Sequence, residues 1–155
     1  MRRKASAKDG LTLVEVLVVS AVLVVMASAI LPLSRVTIKR HKEMELKAAL
    51  REMRRAIDAY KRMSEQGQLT NDIEQEGYPK DLDELVEGVD IVGQVDKKAK
   101  FLRRLPKDPM TAQTEWGKRS YQDEFDSTVW GGQNVYDVYS LSTGTALDGT
   151  KYADW

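Results

Sequence analysis

The sequence predicts an α+β protein: one long N-terminal helix, membrane-spanning and then amphipathic, packed on a small C-terminal antiparallel sheet. Three observations carry this. No residue from Val16 to Leu33 is charged. Beyond that run Leu46, Leu50, Met53, Ile57 and Tyr60 recur at helical spacing, with charged residues between them. After Pro109 the composition shifts to Gly, Ser, Thr, Asp and aromatics, the chemistry of short strands and turns.

The first element is the apolar run. Residues 1–10 set Arg2, Arg3, Lys4 and Lys8 against Asp9, a net of +3 in a chain of zero formal charge. From Leu11 to Leu33 a helix would measure roughly 34 Å at ~1.5 Å per residue, the length of a bilayer span. Pro32 removes one helical hydrogen bond and is expected to loosen the helix there. Arg35, Lys39, Arg40 and Lys42 follow the run and are expected to meet lipid headgroups or acidic neighbours. Basic residues thus flank both ends, and charge alone does not orient the span.

The helix is expected to continue to about Ser64, with Gly67 as its stop. Its apolar stripe supplies one side of a core, and Lys47, Arg51, Glu52, Arg54, Arg55, Asp58 and Lys61 form a solvated face. The segment from Gly67 to Gly77 reads as a loop. Asp81 with Glu84 predicts a capped short helix over Leu82–Val86. Another turn is expected over Lys97–Leu102, ended by Pro106. Strand character appears at Arg119–Gln122 and Val135–Leu141, with Gly131-Gly132 and Gly144 as turns. The resulting layout is 1–10 leader, 11–34 spanning helix, 35–66 amphipathic continuation and 67–155 small α+β region.

Several functions are excluded or disfavoured by composition. Cys is absent, which removes disulfides, thiol catalysis and Cys-based metal sites. The balance of 24 basic and 24 acidic residues leaves no nucleic-acid footprint. His41, the sole histidine, sits among Lys39, Arg40 and Lys42 and has no catalytic constellation around it. Asp108 and Asp137 have no spacing that makes them an acid–base pair. Trp116, Trp130 and Trp155 read as cover for a small sheet. No nucleophile motif or phosphate loop is present, so an enzyme is not expected and no cofactor is implied.

A carboxylate at membrane depth is costly and usually functional, and Glu15 is such a group. The stretch Lys8-Asp9-Gly10-Leu11-Thr12-Leu13-Val14-Glu15 resembles the class III signal of type IV pilins and type II secretion pseudopilins. Leu11 departs from the Phe usual there. Tyr78-Pro79 with Leu82 and Leu85, Leu105-Pro106-Lys107-Asp108-Pro109, Tyr136-Asp137-Val138-Tyr139-Ser140-Leu141 and the closing Asp154-Trp155 resemble segments of the major pseudopilin. The usual pilin cysteine pair is missing.

The resemblance implies a type IV pilin-like fold and a structural subunit of a periplasmic pseudopilus. It implies cleavage by a prepilin peptidase between Gly10 and Leu11, N-methylation of Leu11, and pairing of Glu15 with the free amine of a neighbouring copy. Its implied partners are other copies through the N-terminal helices, an inner-membrane assembly platform, minor pseudopilins and the membrane itself. The implied location is the inner membrane, single-pass, with the C-terminal domain in the periplasm, and the implied work is protein export. It also implies calcium in the loop after Leu141. There Gly144 stands where an acidic residue is usual, and only Asp148 and Asp154 remain as weak ligands for an ion that needs six to eight oxygens. Turn hydrogen bonds are the expected alternative.

Two other readings stay open. One is a type IV pilin for adhesion or motility. The other is a secreted binding domain cleaved after Ala29, because Ala27-Ser28-Ala29 matches a signal-peptidase site.

Overall fold

A computed structural model describes Gly10 and residues 12–70, 75–94 and 96–155, with backbone alone at 29–33. Helix α1 spans Leu13–Glu65 and helix α2 spans Leu82–Glu87. Strands β1 (Val89–Asp90) and β2 (Lys98–Ala99) pair antiparallel, as do β3 (Gly117–Arg119) and β4 (Asp137–Tyr139). A 3-10 turn covers Tyr152–Asp154. The protein is therefore α+β, with a long helix and two small antiparallel sheets. The chain divides into two units, one up to Lys39 and one from Arg40 to Trp155.

In the first unit the helix assignment continues through position 32; the side chains of 29–33 lie outside the described residues. The apolar side chains of this segment are exposed, from Leu13 at 79 % to Met26 at 65 %. Yet among the described residues no helix is long and apolar enough to cross a membrane. This corrects the expected single-pass inner-membrane location. Glu15 places a charge in the first turn of α1, among the exposed apolar side chains of Leu13 to Met26.

The second unit is organised by the apolar stripe. Leu46, Leu50, Met53, Ile57 and Tyr60 are each at most 2 % exposed. They share one cluster with Leu82, Leu85, Leu102, Trp116, Val135 and Val138. Helix α2 is set by its cap: the Asp81 carboxylate accepts from Leu82 N at 2.6 Å, and the Glu84 carboxylate accepts from Lys80 N at 3.0 Å. Leu82 and Leu85 then face the core.

Lys97–Leu102 forms no helical turn. Instead Lys98 and Ala99 pair with Asp90 and Val89, and the following amides of Phe101 and Leu102 both donate to the Leu85 carbonyl, at 2.9 and 2.8 Å. The tie to α2 draws this segment out straight, a tertiary demand that outweighs local preference. In the other sheet Gly117 lies opposite Tyr139. The Tyr139 ring covers the glycine so closely that a Cβ there would stand 2.3 Å from it.

Part of the expected solvated face of α1 is tertiary glue. Arg54 donates to both Asp137 carboxylate oxygens, at 2.6 and 3.2 Å, and to the Val138 and Trp155 carbonyls. Lys47 lies over the Trp155 ring and Lys61 over Tyr78. Long basic side chains here lay their stems along apolar surface and spend the charged end on a specific partner.

Candidate functional site

Two places hold the sequence-derived site residues: the first turn of α1, and the loop from Ser142 to Trp155.

At the first turn, Gly10 is exposed, and a Cβ on it would meet nothing within 4 Å. Packing among the described residues therefore does not require glycine at this position. Leu11 lies outside the described residues. Thr12 Oγ1 accepts from the Glu15 amide at 3.2 Å, and the Thr12 carbonyl accepts from Val16 N at 3.1 Å. Thr12 is thus the N-cap of α1, and it satisfies one of the helix's unpaired amides. Glu15, exposed in the first turn, stands where the helix dipole favours a negative charge. The cap has a sequence signal not used above: Thr12 is followed three residues later by Glu15.

In the C-terminal loop, the Asp148 carboxylate accepts from Thr150 N at 3.0 Å and Thr150 Oγ1 at 2.6 Å. Those two bonds, the hydroxyl first, hold its carboxyl below the ordinary carboxylate range. Asp154 sits exposed in the 3-10 turn. The acid that reaches into this loop comes from α1. Glu43 Oε1 accepts from Leu147 N at 2.8 Å and from the Tyr152 hydroxyl at 3.0 Å. Trp155 Nε1 donates to Thr150 Oγ1 at 2.7 Å, and its ring meets Tyr152 edge-on at 5.2 Å. A Cβ at Gly144 would come within 3.0 Å of the Tyr152 ring, so this position has little room for a larger side chain.

The donor set does not fit calcium. Asp148 is committed to Thr150, and Glu43 to the backbone and Tyr152. Among the described residues no group of three His, Cys, Asp or Glu side chains is placed to share an ion. The loop is held by hydrogen bonds instead.

Tyr152 gives a pH test of that arrangement. Burial first, then the Glu43 carboxylate, pushes its hydroxyl up to about 12. A raised folded value means the stabilisation is fully present below the ordinary tyrosine pKa of ~10. It is lost as pH rises from there through the folded value. Ultraviolet titration should show a late tyrosinate step that Tyr152→Phe removes and Glu43→Gln moves downward. A late step that stays in place in Glu43→Gln would contradict the bond.

The remaining candidates have structural partners. Asp108, fully buried, accepts from Ser140 Oγ at 2.6 Å and Met110 N at 2.7 Å. Asp137 is taken by Arg54. His41 meets Glu45 at 3.2 Å on an exposed helix face, a pair of little energetic weight. Trp116 donates to the Pro106 carbonyl and Trp130 to that of Asn134.

No family model, curated protein or solved structure matches this chain.

Proposed function

We propose that this chain is a structural subunit of a pseudopilus-like filament that serves protein export. In this reading copies polymerise by packing their N-terminal helices together. The supporting observation is the apolar surface of α1. Leu13, Val14, Val16, Leu17, Val18 and Val19 are all about half exposed or more, and consecutive helical positions step by about 100°. Apolar side chains therefore ring the helix on every side. A helix apolar all round is one that something buries, and other copies of itself supply a matching surface.

The first turn gives the assembly its address. A prepilin peptidase cuts after Gly10, exposing the Leu11 amine for methylation. The exposed Glu15 carboxylate then pairs with the amine of a neighbouring copy. That pairing adds direction, because apolar packing alone fixes neither register nor polarity. Thr12 keeps the helix wound up to the point where the pair forms. The absence of Cys favours the pseudopilin reading over the adhesion or motility pilin, which usually carries a cysteine pair.

Glu15→Gln separates assembly from capping. Glutamine serves a capping box as glutamate does, so α1 keeps its first turn, while the charge that an incoming amine needs is gone. The expected result is unchanged helix content by circular dichroism with at least a tenfold loss of sedimentable polymer, the loss of one ion pair of about 1.4 kcal/mol or more per contact. Wild-type polymer yield from Glu15→Gln would remove the charge from the mechanism.

A further inference from the structure

The second unit carries a groove of about 820 Å³ between α1 and the segment after β2. Arg51 and Arg55 line it from the helix, and Arg103 and Arg104 from the segment. All four are exposed, and none makes a side-chain hydrogen bond or ion pair with any described residue. Glu52 is the one acid in the lining; the floor between the guanidinium groups is apolar, with Ala56 and Leu102 buried. The arginines are held close together by the fold. The two hydrogen bonds donated by Phe101 N and Leu102 N to the Leu85 carbonyl fix the segment, and Phe101 packs on Tyr60 with ring centroids 5.4 Å apart. Four like charges on one groove repel one another, and an anionic occupant relieves that cost.

A complementary surface lies elsewhere on the same unit. Between β3 and β4 a loop presents Glu124, Phe125 and Asp126, with Phe125 87 % exposed. Neither Glu124 nor Asp126 makes a side-chain hydrogen bond or ion pair with any described residue. The loop is pinned at both sides of its tip. Asp123 Oδ2 accepts from Ser120 N at 2.7 Å and Gly131 N at 3.1 Å, while Arg119 Nε donates to the Ser127 carbonyl at 2.9 Å. Two acids flanking a bare aromatic ring, on a preordered loop, match four guanidinium groups around an apolar floor. Preordering lowers the entropy cost of docking, and aromatic and Arg side chains are the usual anchors of an interface.

The loop and the groove are different patches, since none of Glu124, Phe125 and Asp126 lines the groove. Arg54 points to Asp137 on β4, the side on which Arg119 holds the loop. Arg55 is turned about 100° further round the helix, into the groove. A contact between two different patches is head-to-tail, and repeated head-to-tail contacts that do not close generate a helical filament.

We infer that the arginine groove of one copy receives the Glu124–Asp126 loop of the next copy. This contact rests on the filament reading and adds to it a second link outside the N-terminal helices. Carboxylates pair with the guanidinium groups, and Phe125 covers the alanine and leucine floor.

Charge exchange tests the contact in the full chain. Arg55→Glu with Arg104→Glu should cut sedimentable polymer severalfold, and so should Glu124→Arg with Asp126→Arg. Combining all four should restore it. Because the chain has no native Cys, Arg104→Cys with Asp126→Cys should give a disulfide-linked ladder on oxidation, and either substitution alone should not. Wild-type polymer that is indifferent to both exchanges and gives no ladder would overturn the contact and leave the filament reading standing. Absence of polymer from the unsubstituted chain, with no ladder, would overturn both. Weakening by the arginine exchange alone, with the acidic exchange silent and no ladder, would assign the groove to some other anionic partner and overturn the contact.

Discussion

Ile57→Asp abolishes the folded state of the Arg40–Trp155 unit. Ile57 is 1 % exposed and sits mid-stripe between Met53 and Tyr60, packed in the core cluster of that unit's described residues. Truncating a buried Ile costs about 2–5 kcal/mol. Placing a carboxyl there adds about 1–3 kcal/mol, because no hydrogen-bonding partner is at hand. The combined loss, about 5 kcal/mol, is comparable to the whole stability of a small domain. Fluorescence from buried Trp116 should report loss of the cooperative melt. Ile57→Val, a loss of about 1 kcal/mol, should melt a few degrees below wild type. An unchanged melt for Ile57→Asp would place the stripe outside the core.

Gly117→Ala is the second large effect. The added Cβ would stand 2.3–2.6 Å from three atoms of the Tyr139 ring, far inside contact distance. Tyr139 has little freedom to yield. Its hydroxyl donates to the Thr128 carbonyl at 3.3 Å, and Arg119 stacks on its face at 4.1 Å. Overpacking of this kind costs about 1–3 kcal/mol, and the lost stacking and hydrogen bond bring the total to about 3 kcal/mol. The clash has one named partner, so it is testable by a double-mutant cycle. In a Tyr139→Ala background the same substitution should cost about 0.5 kcal/mol or less. Equal costs in both backgrounds would mean that the ring does not cover the glycine.

The legible parts of this fold were those encoded by local periodicity. The stripe from Leu46 to Tyr60 announces its buried face because helical spacing turns sequence into surface directly. The α2 cap is likewise local: Asp81 and Glu84 act on amides within four residues. The two sheets were harder to read. Lys98–Ala99 and Gly117–Arg119 carry no strand-favouring pattern; they are extended because other strands hold them, Val89–Asp90 for the first and Asp137–Tyr139 for the second. Arg54 read as solvated because its partner Asp137 is 83 residues away. Glu43 was passed over for a similar reason: its partners are Leu147 and Tyr152.

Of the candidate site, Gly10 and Glu15 are exposed in and before the first turn of α1, while Asp148 serves the loop's own hydrogen bonds. The largest departure from the sequence expectation is the location: among the described residues no helix is long and apolar enough to cross a membrane.

In the filament reading, copies of the N-terminal helix bury one another. The most direct test is the solution mass of the chain beginning at Leu11 beside that of the chain beginning at Arg40, measured by sedimentation at matched concentrations. Large polymers are expected from the first and none of comparable size from the second, because Leu13 to Met26 carry the exposed apolar surface and the groove contact is only the second link. Monomers from both chains would contradict that reading.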